Sequence, residues 1–311
     1  MSSTGSPFTL GGLLRLGESI IQPREVWNAA LVPFSSPDQV DERSTFIVFS
    51  GRRLRLPGRR PVHTFADPFL FVRNAELHVF LETQELGEHG RIEAYSTTDL
   101  KNFRAHGPVF SPPFHVSYPQ VFAHRDDIFM VPETSQAREV ALYRFEQFPC
   151  RLRRITALLE GDYCDATLVR WHERWWLFAT TATGLEIHHS SDLSGPYAPH
   201  PRNPVAVSPK TMRCGGPFLH HGDDLFRVAQ DGSSSYGANL NILRVSALTE
   251  KVYREEMVTD GIFQCRQDWN ERGGHHLSTA SFLGREIAGI DGRQRDFRVN
   301  RLLSLLTRMG S

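Results

Sequence analysis

The sequence predicts an all-β fold, a five-bladed β-propeller, on three observations. A short block recurs five times: Ala66-Asp67-Pro68-Phe69-Leu70, Ser117-Tyr118-Pro119-Gln120-Val121, Cys164-Asp165-Ala166-Thr167-Leu168, Gly215-Gly216-Pro217-Phe218-Leu219 and His275-His276-Leu277-Ser278-Thr279. Each block opens an apolar run that crosses a short polar turn and returns as a second apolar run. The return has a constant length: 15 positions separate Asp67 from Glu82, Tyr118 from Glu133, Asp165 from Thr180, Gly216 from Asp231 and His276 from Asp291. The steps between anchors are 51, 47, 51 and 60 residues, and a period near 50 built of strand-like segments is propeller spacing.

Within the first unit, Asp67–Val72 and Leu77–Glu82 read as a hairpin across Arg73-Asn74-Ala75, followed by outer strands Arg91–Ser96 and Arg104–Phe110. The third unit reads Ala166–Trp171, Trp175–Thr180 and Leu185–His189, then a proline-rich outer segment to Val207. A run such as Trp175-Trp176-Leu177-Phe178 suits a strand covered on both faces. After Asp291 the fifth unit lacks two outer strands, and Thr45–Ser50 and Arg53–Leu56 are the N-terminal segments expected to complete it. The alternative is a separate N-terminal cap. A single domain is expected over 1–311, with residues 1–60 completing or capping the ring, 61–292 carrying the blades and 293–311 a helical tail over Arg298–Met309.

Composition bounds the function. The chain has 311 residues and 35 basic against 35 acidic side chains, so no global charge favours nucleic acid or an anionic membrane. Lys occurs only at positions 101, 210 and 251, leaving Arg as the working cation. Cys150, Cys164, Cys214 and Cys265 show no paired or metal-finger spacing, which reads as a reduced, cytoplasmic protein. The first 20 residues carry Arg15 and Glu18 and make a poor signal peptide. No run is apolar enough to span a bilayer.

The propeller register locates the site. The start of a first strand and the end of the second lie at one mouth, which gathers Asp67, Glu82, Tyr118, Glu133, Asp165, Gly216, Asp231 and His276, with Gln230 and His275 beside them. Clustered carboxylates repel, so some must be protonated or paired; Arg213 and Arg227 are the nearby cations. Carboxylates accept from sugar hydroxyls, and the aromatic faces of Tyr118, Trp171, Tyr236 and Trp269 suit the C–H patches of a sugar ring. Glu82 and Glu133 are equally suited to salt bridges at strand ends. The adjacent histidine pairs His188-His189, His220-His221 and His275-His276 invite a metal reading, but neighbouring strand residues point to opposite faces. His275 or His276 is therefore expected as a hydrogen-bond donor in the channel, with no metal and no cofactor.

Two sets of motifs resemble known families. Ala66-Asp67-Pro68-Phe69 and Phe80-Leu81-Glu82 resemble the first blade of five-bladed glycoside hydrolase family 43 propellers. His115-Val116-Ser117-Tyr118-Pro119, Met130-Val131-Pro132-Glu133-Thr134, Gly195-Pro196-Tyr197, His200-Pro201-Arg202-Asn203-Pro204 and Arg227-Val228-Ala229-Gln230-Asp231 with Tyr236-Gly237 resemble a second group. That group is the N-terminal domain of plant glucosamine inositolphosphorylceramide transferases and its bacterial relatives in polysaccharide biosynthesis, over residues 60–292. The resemblance implies a bacterial, carbohydrate-active protein, with a glycan ligand and polysaccharide-pathway enzymes as partners. The hydrolase template implies Asp67 as base, while Tyr118 and Asp165 stand where it has Asp and Glu. Glu133 or Asp165 is left as the candidate acid, with Arg213 and Arg227 holding a charged group and Glu82, Tyr118, Gln230, Asp231, Tyr236, His275 and His276 binding the ligand. A non-catalytic glycan-binding module or scaffold is the alternative.

Overall fold

Five hairpins, each begun by one of the repeated blocks, organise the chain. A computed structural model describes residues 24–37, 39–51, 62–85, 87–264 and 267–296. The expected helix over 298–309 and the strand over 53–56 lie outside them. Among the described residues the structure is all β, with a single 3₁₀ turn at Ser135–Ala137, and no helix is long and apolar enough to cross a membrane.

The N-terminal segment forms β1 (Arg24–Ser36), β2 (Gln39–Val40) and β3 (Ile47–Phe49). The first unit is β4 (Val62–Arg73), β5 (Glu76–Glu85), β6 (Arg91–Thr97) and β7 (Arg104–Phe110). The second is β8 (Ser117–His124), β9 (Asp127–Glu133), β10 (Glu139–Gln147) and β11 (Arg151–Glu160). The third is β12 (Cys164–Trp171), β13 (Arg174–Thr181), β14 (Gly184–Ser190) and β15 (Ala198–Pro199). The fourth is β16 (Arg213–Cys214), β17 (Leu219–His221), β18 (Asp224–Asp231), β19 (Asn239–Leu248) and β20 (Tyr253–Thr259). The fifth hairpin is β21 (Leu277–Phe282) with β22 (Arg285–Asp296). Units two, three and four are separate antiparallel sheets. The first unit and the fifth hairpin share one sheet, because β1 lies between β22 and β4.

The N-terminus thus pairs where the sequence expects it to, but through a different strand. Ten consecutive residues, Arg24 to Pro33, run antiparallel to β22, and β3 pairs only against β1. The segment Trp27-Asn28-Ala29-Ala30-Leu31-Val32 is buried almost throughout, and its small and polar members hid it from a search for β-branched runs. A single parallel bridge, Trp27 to Thr64, links β1 to β4.

The constant 15-residue return has a structural cause. In each of the first three units two residues of the first strand oppose one of the second: Asp67 and Pro68 fall between the pairs Ala66–Glu82 and Phe69–Phe80. Tyr118 and Pro119 fall between Ser117–Glu133 and Gln120–Val131, and Asp165 and Ala166 between Cys164–Thr180 and Thr167–Phe178. These are β-bulges, and they hold Asp67, Tyr118 and Asp165 at φ of 50°, 47° and 48°. Side chains other than glycine rarely take that conformation, and strain of this kind gathers at functional sites. The fourth anchor is Gly216, at φ 148°, where a Cβ would meet the Leu277 carbonyl oxygen.

First strands are stitched to one another. The Gln120 side chain donates to the Leu168 carbonyl (2.8 Å) and accepts from the Leu168 N–H (2.7 Å). Leu277 N–H donates to Gly215 O at 2.8 Å, and Ser278 Oγ donates to Pro68 O. Between the sheets pack Phe69, Phe80, Met130, Trp176, Phe178 and their neighbours. Burying each large apolar side chain contributes roughly 1.5–3 kcal/mol, so the bulged strand starts stand on a rigid base.

Candidate functional site

A cavity of about 310 Å³ opens where the bulges meet, lined by Asp67, Glu82, Glu133, Asp165, Arg213, Gln230, Tyr236 and His275, with Trp27 and His115. Its carboxylates fall into two differently held groups.

On one side stands Asp67. Its Oδ2 accepts from the Tyr118 N–H at 3.1 Å, and its own N–H donates to Asp291 Oδ2 at 3.2 Å. Asp291 also accepts from the N–H groups of His275 (2.7 Å) and His276 (3.0 Å), and its Oδ2 lies 2.6 Å from His275 Nδ1. Burial opposes charge on His275, yet the Asp291 carboxylate and its hydrogen bond overcome this and raise the imidazole to about 9. Burial raises Asp67 to about 7; the His275 charge 3.8 Å away opposes that rise, and Asp291 and Asp165 add to it. Asp291 is held below the usual carboxylate range despite its burial, because His275 supplies a charge and a hydrogen bond. Asp67 is therefore a carboxyl whose proton is exchangeable near neutrality.

Glu82 and Glu133 flank it. Burial drives Glu82 well above its ordinary range, and the Asp67 charge adds to the rise. Burial also raises Glu133, against the Ser135 N–H (3.1 Å) and Oγ (2.6 Å) that donate to its Oε1. Its Oε2 is buried and has no hydrogen-bond partner among the described residues. His115 Nδ1 accepts from the Gly90 N–H at 3.1 Å, leaving Nε2 3.8 Å from Glu82 Oε1.

Asp165 forms the opposite side. Arg213 Nε donates to its Oδ2 at 2.5 Å and Gln230 Nε2 at 2.8 Å, and the Gln230 amide is fixed in turn by Cys214 O at 2.8 Å. The Asp165 charge raises Arg213 further above its already high range. The Arg213 guanidinium also lies over the Tyr236 ring, 5.3 Å from its centroid. Cys164 beside it is no reactive thiol, since burial pushes it to about 11.

Four expected ligand contacts fall elsewhere. Tyr118 is fully buried; its hydroxyl pairs with Thr167 Oγ1 and accepts from the Gly216 N–H, both at 2.8 Å, which makes it a bolt between strands. His276 is packed against Phe69 and Tyr118, and burial lowers it to about 3, so it stays neutral. Arg227 and Asp231 share a strand with Gln230 but sit at odd positions, so the two-residue period turns them away from it. Arg227 forms a bidentate pair with Glu255 at 2.8 and 2.7 Å; Asp231 accepts from Ser233 in a turn. Of the expected aromatics, Trp269 lies in the core and Trp171 against His172 and His220.

Trp27 is a contact that reading the sequence missed, as are His115 and Asp291. The Trp27 ring stacks on His275 with centroids 4.1 Å apart and planes 18° apart, while Tyr236 meets the same imidazole edge-on at 5.0 Å. The signal was present as an aromatic in a segment of strand-pairing potential, but no repeat pointed to it.

Asp67, His275 and Asp291 could offer a cation three ligand atoms within 4.8 Å of one another. The proton on His275 competes directly with such an ion, because a protonated imidazole has no lone pair to give.

The family model described as glucosamine inositolphosphorylceramide transferase 1, N-terminal, matches residues 57–293. The chain is 32% identical over 251 residues to glucosamine inositolphosphorylceramide transferase 1 of Oryza sativa subsp. indica, covering 76% of this chain and 34% of that protein. It is 29% identical over 248 residues to the Arabidopsis thaliana protein of the same name, covering 75% and 32%. The chain thus spans about a third of the length of the curated relatives it matches. These relatives are plant proteins, so the bacterial, cytoplasmic setting expected from the sequence does not stand.

Among solved structures, β-1,2-mannobiose phosphorylase from Listeria innocua is similar with a TM-score of 0.61 at 10% identity, covering 84% of this chain and 96% of that one. An α-L-arabinofuranosidase of family 43 from Clostridium thermocellum gives 0.54 at 12%, covering 74% and 82%. A family 117 glycoside hydrolase from Zobellia galactanivorans gives 0.53 at 11%, covering 90% and 92%. At these identities the likeness concerns the fold alone.

Proposed function

The chain belongs to the family of the glucosamine inositolphosphorylceramide transferase 1 N-terminal domain, and from that premise we propose a carbohydrate-active five-bladed propeller. In this reading the five hairpin units are blades, β1 closes the ring between the last and the first, and the cavity is the channel mouth. The ligand is a sugar or glycan conjugate of surface-polysaccharide or glycolipid metabolism, handled by glycosidase-like or glycosyl-transfer chemistry. The relatives' name, a transferase of glucosamine and inositolphosphorylceramide, favours the glycolipid side.

The observation that carries the reading is Asp67: a buried carboxyl raised to about 7, held in a strained bulge beside a protonated histidine, and sharing the cavity with two further carboxyls, Glu82 and Glu133, that burial pushes upward. Ionised Asp67 would take a proton from water or an acceptor hydroxyl as that oxygen attacks the anomeric carbon. Glu133 would donate its proton to the departing glycosidic oxygen, and the pair would return to its starting charge by exchange with solvent. Asp165 suits an orienting role rather than that of the acid, since Arg213 and Gln230 already occupy its Oδ2. Trp27 and the half-exposed Tyr236 offer faces to the ring of a sugar.

A specific observation favours the second reading, a glycan-binding module without turnover: the same Arg213–Asp165–Gln230 lock removes the acid at the position where the hydrolase template places one. The experiment is to compare wild type with Asp67→Asn for binding and turnover on oligosaccharide and nucleotide-sugar panels. The enzyme reading expects retained binding with abolished turnover. A wild type that binds glycans and turns none over would leave the binding module.

A further inference from the structure

At the end of the molecule opposite the channel mouth, a second cavity of about 450 Å³ lies between the first and second units. Strand register builds it. Cross-strand pairs His78–Ser96 and Ser96–Arg104 put these side chains in one row on one face of the first sheet, and Arg73 pairs with Glu76 at the adjoining turn. The β10–β11 hairpin of the second unit covers the row with Phe148.

Two guanidiniums stand on this lining. Arg73 and Arg104 are exposed, and neither makes an ion pair or side-chain hydrogen bond among the described residues. Arg73 is fixed rather than free: its guanidinium rests over the Phe148 ring, 5.1 Å from the centroid, and that ring is wedged against Phe71, Phe80 and Phe145. His78 forms the floor, edge-on to Phe148 at 4.6 Å, with His106 at 6.0 Å. His106 is tied by Nε2 to Ser96 Oγ at 2.7 Å. Glu76, the lining's one carboxylate, lies 3.7 Å from His78 Nε2. The Arg73 guanidinium held over Phe148 and the exposed Arg104 guanidinium, against one carboxylate, leave a positive cleft with donors on separate strands.

We propose that this cleft is a binding site for a soluble phosphate monoester, with Arg73 and Arg104 gripping the phosphate and the histidine floor carrying the rest of the molecule. A tetrahedral dianion accepts from several directions, which matches guanidiniums set on different strands better than a planar carboxylate does. The cavity also exceeds what a phosphate group alone would fill. Burial lowers His78 to about 4; Glu76 opposes this, and the charges of His106 and Arg73 add to it. Burial lowers His106 as well, with Arg104 adding to the effect.

The site is independent of the channel mouth and of whatever chemistry occurs there. Its test is calorimetric titration of the full chain with inorganic phosphate and with glucose 6-phosphate at constant ionic strength, followed by the imidazole resonances of His78 and His106. Saturable one-to-one binding is expected, weakened at least tenfold in Arg73→Ala/Arg104→Ala, with the two imidazoles shifting in wild type. Absence of saturable binding would overturn the site. So would equal affinity in the double variant, or shifts confined to His115 and His275.

Discussion

Asp67 and Asp165 occupy equivalent places. Each opens the first strand of its unit, each sits in a two-against-one bulge, and their φ angles agree within two degrees. Yet Asp67 faces a histidine–carboxylate pair and is raised to about 7, whereas Asp165 is clamped by a guanidinium and an amide. The bulge decides where a carboxyl is presented; the neighbours brought by other units decide what it can do. Asp67 receives its neighbours from the fifth hairpin, through Asp291 and His275, and Asp165 receives its own from the fourth, through Arg213 and Gln230.

The largest expected effect breaks the comparison on the Asp67 side. Asp67→Asn removes the carboxyl raised to about 7, so turnover should drop by roughly 10²–10⁴ if it is the base. In wild type the rate should rise with pH through about 7, because the base must lose its proton, and the variant should lack that limb. On the Asp165 side the effect should be on stability. Arg213→Ala leaves a buried carboxylate without its cation; discounted for the partial exposure of Arg213, the loss should be about 2–3 kcal/mol by denaturant unfolding. An unchanged midpoint would show that the clamp is not what holds Asp165.

How much of this was legible in the sequence follows the same division. The repeat and its 15-residue return placed Asp67, Glu82, Glu133 and Asp165 at one mouth because position along a strand is a local property. Arg213, Gln230 and His275 came with them as neighbours of anchors. What was not legible was orientation and partnership. Arg227 and Asp231 were misplaced by one step of strand parity, Tyr118 turned its hydroxyl inward to Thr167, and Trp27 arrived on a strand whose pairing with β22 spans more than 250 residues of sequence. The strand itself was missed because Asn28-Ala29-Ala30 carries little β signal, although burial against β22 makes it strand.

Smaller changes should sharpen the Asp67 side. Asp291→Asn withdraws the charge that keeps His275 protonated, so the imidazole should titrate at least one unit below about 9 by NMR. A value still near 9 would assign the shift to Asp67 instead. Trp27→Phe keeps a ring against His275 but a poorer one. Such stacks are worth roughly 0.5–1.5 kcal/mol, and the imidazole should fall by about half a unit or less, with the fold intact.

The most direct test is the titration of the Asp67 carboxyl itself, followed by carbon-detected NMR in wild type with Asp67→Asn to assign the signal. A midpoint near 7 is predicted. A midpoint near the ordinary carboxylate value of ~3.9 would contradict the account, because Asp67 would then be a plain counter-ion to His275 and the two sides of the cavity would not differ as described.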